Sequence, residues 1–137
     1  MTIPALVNGL LPPGVYAAAL QEVWDVFDQP GSATRAALNQ ALAHAVTIIW
    51  ARDTQALIYV NGSYVTNRID PADVDIAVRS DVWTDSSFLP AFVAAHAGEE
   101  QLVDFFFSAT HSTQHMEELF QETQGSPIRK GIILLHP

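Results

Sequence analysis

Residues 73–78 read Asp-Val-Asp-Ile-Ala-Val, and this alternation constrains the chain more than any other feature. Side chains along a strand point to opposite faces in turn, so Val74, Ile76 and Val78 form one apolar face while Asp73, Asp75 and Ala77 share the other. Such a strand needs a packed core on one side and carries two carboxylates together on the opposite side. The fold must therefore contain a sheet with one dry face and one face able to do chemistry.

The rest of the chain supplies elements to pack on that strand. "ALIYVNG", from Ala56, is β-branched and aromatic and ends at a glycine, which reads as a second, buried strand. "LVDFFFS" reads as a third, with Val103, Phe105 and Phe107 on one face and Asp104 on the other, and "KGIILLH" as a fourth. Helical spacing of Leu20, Val23, Trp24 and Phe27 predicts a helix over Tyr16 to Phe27. A longer helix follows, capped by Ser32, with Leu38, Leu42, Ala45, Val46 and Ile49 on one stripe. "SSFLPAFVAAHAG" reads as a short helix closed by Gly98. "STQHMEELFQET" reads as another, capped by Ser112 or Thr113, with Met116, Leu119 and Phe120 inward. Trp24, Trp50 and Trp83 are expected to pack helices against the sheet. We expect one α+β domain over residues 1–137, with N-terminal helices in 1–52 and a mixed sheet of about four strands in 53–137.

Composition narrows the function classes. Six Lys plus Arg against fifteen Asp plus Glu give a formal charge of −9, a field that repels phosphate backbones and anionic lipid. Binding of duplex DNA is not expected. No stretch approaches the ~18 apolar residues of a spanning helix, and the opening "MTIPALVNGLLPP" lacks a basic n-region. With no cysteine in the chain, the expectation is a cytoplasmic protein that does not engage a membrane. The Asn61-Gly62-Ser63 sequon would matter only in a secreted chain.

Gly62 and Ser63 stand where a strand ends, and a glycine there lets backbone approach a ligand closely. Free N–H groups in the turn and the Ser63 hydroxyl would suit an anion. Asp73 and Asp75 follow ten and twelve residues after Ser63, and Asp104 lies alone among apolar neighbours on a later strand. The two hard oxygen ligands Asp73 and Asp75 suit divalent cations such as Mg²⁺, which takes one or two carboxylates and completes its shell with water and substrate phosphate, and Asp104 would add a third acid. Without a cation, converging carboxylates raise one another's pKa.

"NGSYVTNRIDPADVDIAV" resembles the signature of the nucleotidyltransferase fold of the DNA polymerase beta superfamily: Gly-Ser at a strand end, a spacer of about ten residues, Asp-x-Asp between apolar residues, and a later third acid. With "LPPGVYAAALQEVWDVF", "VDFFF" and "KGIILL" the chain resembles small bacterial and phage nucleotidyltransferase-like proteins over nearly its whole length. That resemblance implies transfer of a nucleoside monophosphate from a nucleoside triphosphate such as ATP. Gly62 and Ser63 would hold the phosphates, and Asp73, Asp75 and Asp104 would hold Mg²⁺ or Mn²⁺. Asp104 would also help deprotonate the acceptor hydroxyl. By family analogy the acceptor is a protein partner, as in toxin-antitoxin or phage-defence pairs, or next a tRNA end. The chain departs from such relatives at "YVTN", where they carry Arg-Gly, and at Ala72, where they carry Ser. The phosphate contact must come from elsewhere, with Arg68, Arg79, Arg129 and Lys130 the nearest cations in sequence. The alternative is a catalytically inactive module of the same fold that binds a nucleotide or a protein.

Other residues read as structural. Asp70, before Pro71, belongs to a turn. His111 and His115 are four apart on a helix and read as solvated or capping, and His44 and His96 as hydrogen-bonded structural histidines. Phe106 shares Asp104's face and either stacks on a base or covers the sheet.

Overall fold

The computed structural model describes residues 3–29, 31–110, 112–121 and 129–137. The chain runs β1 (Val15–Ala19), α1 (Leu20–Phe27), α2 (Ala33–Arg52), β2 (Leu57–Asn61), β3 (Val74–Arg79), α3 (Asp85–Ala95), β4 (Val103–Ser108), α4 (Thr113–Gln121) and β5 (Ile132–His136). Single 3₁₀ turns lie at Ser63–Val65 and Glu100–Leu102. The architecture is α+β around one mixed sheet of order β1-β5-β2-β3-β4.

The sheet has five strands where about four were expected, because the segment read as the start of the first helix is β1. Alanines 17 to 19 favour helix locally, but β5 is strongly apolar and would otherwise present an unpaired edge. Val15 to Ala19 cover that edge in parallel register with Ile132 to His136. The pairing is seeded where Gly131 N–H donates to Leu11 C=O at 3.0 Å and Ile132 N–H to Gly14 C=O at 3.0 Å. The N-terminal region therefore contributes a strand to the sheet as well as α1 and α2.

β2 is antiparallel to both β5 and β3, while β4 lies parallel to β3 through the crossover helix α3. The main core fills one face: Ile58, Val60, Ile76, Val78, Ile133 and Leu135 pack against Val23 and Phe27 of α1, the Leu38–Ile49 stripe of α2, and Phe88 and Phe92 of α3. Ser32 caps α2 by accepting from Arg35 N–H at 3.1 Å, and Thr84 caps α3 by accepting from Ser87 N–H. The opposite face is covered only in part. Tyr59, Ala77 and Ile132 form a small second core with Met116 of α4.

α4 is capped by Ser112, whose hydroxyl accepts from His115 N–H at 3.1 Å. Leu119, expected inward, is exposed, because α4 turns its Met116 and Phe120 side to the sheet. Phe106 lies under α4, its ring 5.7 Å from Phe120, and so covers the sheet. Trp83 is buried and donates its indole N–H to Ile49 C=O at 3.0 Å.

Candidate metal and phosphate site

The two neighbouring register pairs Asn61↔Asp75 and Asp75↔Asp104 set three polar side chains side by side across β2, β3 and β4. All three belong to the face opposite the main core, beyond the edge of the small core under α4. Asp73, two residues before Asp75, adds its carboxylate to the same face. Oxygens of Asp73, Asp75 and Asp104 lie within 4.8 Å of one another. Strand parity thus brings together the three acids singled out in the sequence.

Among the described residues nothing neutralises this concentration of charge fully. Asp75 is pushed up to about 7, first by burial, then by the Asp73 and Asp104 charges and by a hydrogen bond shared with Asp104. Asp73 is also raised, by burial and then by Asp104. Lys130 opposes these effects from the strand-entry side of β5. Its own ammonium is destabilised by burial and partly restored by Asp75. Of the four cations near the site in sequence, Lys130 is the one whose charge acts on Asp75. Arg79 donates to Asp81 at 2.9 Å, and Arg68 and Arg129 are exposed.

Gly62 closes the site from the β2 side. Its φ of +80° and ψ of −167° suit glycine, and an added Cβ would overlap Asp75 Oδ2 and stand 2.7 Å from Asp75 Cγ. The backbone therefore passes directly beneath the carboxylate. Ser63 opens the 3₁₀ turn, and among the described residues its hydroxyl makes no hydrogen bond.

The segment from Gly62 to Asp73 is held by Arg35, a residue the sequence reading passed over. Its fully buried guanidinium makes five hydrogen bonds to backbone carbonyls: Nη1 to Phe27 (2.8 Å) and Tyr64 (2.9 Å), Nη2 to Thr66 (2.9 Å) and Arg68 (2.6 Å), and Nε to Arg68 (3.1 Å). A signal was present, since Arg35 stands on the inward stripe three residues before Leu38 and seven before Leu42. Asn61 was also missed, although Leu57, Tyr59 and Asn61 alternate against Ile58 and Val60.

A hard divalent cation fits this donor set. The ligands are carboxylate oxygens, and their mutual repulsion, read in the raised pKa of Asp75, is what a cation would cancel. Asp70 is exposed and lies outside the cluster. His111 lies outside the described residues, and His115 is exposed and joins no ligand cluster among them. At the α2–α3 side His44 pairs with Glu99, its Nδ1 2.8 Å from Glu99 Oε1, and His96 stacks on the His44 ring. No helix among the described residues is long and apolar enough to cross a membrane.

Neither the curated proteins nor the solved structures give a match to this chain. A family model does match, over residues 4–136, and the chain belongs to the family of unknown function DUF6932.

Proposed function

We propose that the protein is a metal-dependent nucleotidyltransferase that moves a nucleoside monophosphate from a nucleoside triphosphate to a macromolecular acceptor. The observation that carries this reading is the meeting of Asp73, Asp75 and Asp104 within 4.8 Å, directly above Gly62 and next to Ser63. Asp73, Asp75 and Asp104 would hold Mg²⁺ or Mn²⁺. When bound, the cation supplies charge neutralisation on the phosphate oxygens and an easier ionisation of a coordinated hydroxyl.

The chain's own residues do the remaining work. Gly62 lets the Asp75 carboxylate lie against the β2 backbone beside the turn, and the Ser63 hydroxyl is available to donate to a phosphate. Lys130, the cation that already acts on Asp75, supplies the positive charge that "YVTN" does not. Asp104 accepts the acceptor's hydroxyl proton as the new acceptor O–Pα bond forms, and the bond from Pα to the bridging oxygen breaks to release pyrophosphate. The acceptor in this reading is a protein partner, in a toxin-antitoxin or phage-defence setting, with a tRNA end second. Such an enzyme would work in the cytoplasm, where triphosphates and Mg²⁺ abound.

The test is incubation with labelled triphosphates, Mg²⁺ and cell extract. A labelled macromolecule should form, and Asp75→Asn should abolish the label while leaving the fold intact. Triphosphate binding that persists without any transfer, and that Asp73→Asn leaves unchanged, would replace this reading with a nucleotide-binding module.

A further inference from the structure

Asn61 is 7% exposed, and its amide nitrogen is buried with no hydrogen-bond partner among the described residues. That is unusual for a group with two donors, because a buried unsatisfied amide lowers stability and most such groups find an acceptor. Its neighbours on the same sheet face narrow what could accept from it. On the β3 side it stands opposite Asp75, at the cross-strand separation of about 4.5–5.5 Å between Cβ atoms that lets paired side chains touch. On the β5 side, one step beyond the Val60↔Ile133 pair, the neighbour is Ile132, which offers no acceptor. Asp75 has the acceptor atoms and shares a hydrogen bond with Asp104, yet the Asn61 amide nitrogen makes no hydrogen bond to it.

We infer that Asn61 is a positioning residue for Asp75: with a divalent cation on the acid row, its Nδ2 donates to the Asp75 carboxylate and holds it as a ligand. This rests on the cation-binding part of the function proposed above and on no later step of the transfer. Carboxylates that ligate metals are themselves held by hydrogen bonds, and losing such a partner weakens metal binding without touching the metal. Asp75 has burial and like charges around it, and among the described residues Asp104 is its side-chain hydrogen-bond partner. Asn61 is the one cross-strand neighbour that can supply one, and Gly62 beside it brings the β2 backbone close enough for the pair to be in register. An orphaned donor facing a carboxylate that needs orienting is a site prepared for the bound state.

The experiment measures Mn²⁺ affinity of the full chain by titration calorimetry or by the paramagnetic resonance signal of free Mn²⁺, with no nucleotide present, alongside the melting temperature without metal. Asn61→Leu removes the unsatisfied donor at similar volume. It should leave the metal-free melting temperature unchanged or raise it, and weaken Mn²⁺ binding by about ten- to a hundredfold. Asn61→Ser, which keeps a shorter donor, should recover part of that loss. An Asn61→Leu protein that melts lower than the parent and binds Mn²⁺ equally well would mean a purely structural asparagine and overturn the inference. Absence of labelled product in the transfer assay, with the Asn61 effect on Mn²⁺ intact, would remove the nucleotidyl-transfer reading alone. Transfer that proceeds with unchanged Mn²⁺ affinity in Asn61→Leu would remove this inference alone.

Discussion

Arg35 and the acid row of Asp73, Asp75 and Asp104 both keep charge away from bulk water, and they do so in opposite ways. Arg35 lies on the main-core side, where Phe27, Tyr64, Thr66 and Arg68 each turn a backbone carbonyl toward its guanidinium. Every direction its planar fork can donate is used, which is how a buried arginine becomes a structural part. On the far side of the sheet three carboxylates face one another with Lys130 as the opposing charge and Asn61 left without an acceptor. Satisfied charge marks the part of the molecule that must stay fixed. Unsatisfied charge marks the part that, under the proposed function, takes the cation, and the first supports the second, since Arg35 fastens the segment running from Ser63 to Asp73.

The comparison breaks most visibly at Arg35. Arg35→Met keeps much of the volume and removes all five hydrogen bonds, leaving four carbonyls without their donor. Stripping one side of a buried charged network costs about 3–5 kcal/mol, so the melting temperature should fall by roughly 10 °C or more. Thermal or urea denaturation reads the loss directly. A drop of only ~2 °C would show that the guanidinium does not hold the loop.

Gly62 tests the acid side with a smaller effect and a built-in control. Gly62→Ala combines strain at φ +80° with overlap onto the Asp75 carboxylate, whereas Gly98→Ala meets only strain, at φ +95° with nothing within 4 Å. The strain alone is worth about 1 kcal/mol, and the overlap raises the Gly62 effect to about 1–3 kcal/mol. Mn²⁺ binding should be lost in Gly62→Ala and retained in Gly98→Ala. Equal behaviour of the two variants would mean that Asp75 moves aside freely and that the close approach has no role.

The proton on Asp75 sharpens the comparison further. In the folded, metal-free chain Asp75 holds its proton up to about pH 7, while in the unfolded chain it would titrate near the ordinary carboxylate value of about 4. The folded state therefore binds more protons between those values. The associated stability is fully present below about pH 4, shrinks as the pH rises, and is gone above about pH 7. Allowing for solvent screening, the change is about 1–2 kcal/mol, a few degrees in melting temperature. Metal-free protein should melt lower at pH 8 than at pH 5.5, Asp75→Asn should flatten that slope, and Mg²⁺ should restore more stability at pH 8, where no proton competes with it. A slope that Asp75→Asn leaves unchanged would assign it to other groups.

Most of the acid side was legible in the sequence because strand parity is a local rule. Val74, Ile76 and Val78 against Asp73 and Asp75 define their faces without any knowledge of the neighbours, and Asp104 obeys the same rule among Val103, Phe105 and Phe107. What remained hidden depends on who sits next to whom. β1 is a strand only because β5 lies beside it, and Val15 to Ala19 by themselves lean toward helix. Arg35 looks like a surface residue of an alanine-rich helix until the 62–70 segment folds over it. Asn61 becomes notable only once its register with Asp75 is known. Periodicity reveals faces, while partners across the sheet are set by long-range pairing.

The smallest effect belongs to a third cluster, His44, His96 and Glu99, whose ligand atoms also lie within 4.8 Å of one another. Proximity alone would rank it with the acid row, but its internal bonding resembles that of Arg35. His44 Nδ1 is 2.8 Å from Glu99 Oε1, and the two imidazoles stack with centroids 3.7 Å apart at an interplanar angle of 3°. Imidazole lone pairs lie in the ring plane, so two parallel stacked rings cannot both aim at one ion without breaking the stack. The groups are also partly exposed, with side-chain exposures of 34% for His44 and 25% for Glu99, which limits the pair to about 0–1 kcal/mol. His44→Gln should therefore shift the melting temperature by no more than ~3 °C and leave Mn²⁺ affinity unchanged. Added Zn²⁺ should not stabilise the parent through these residues. A Zn²⁺-dependent rise in melting temperature that vanishes in His44→Gln would overturn the distinction between satisfied and unsatisfied clusters, because a cluster that already bonds to itself would then have opened to take a metal.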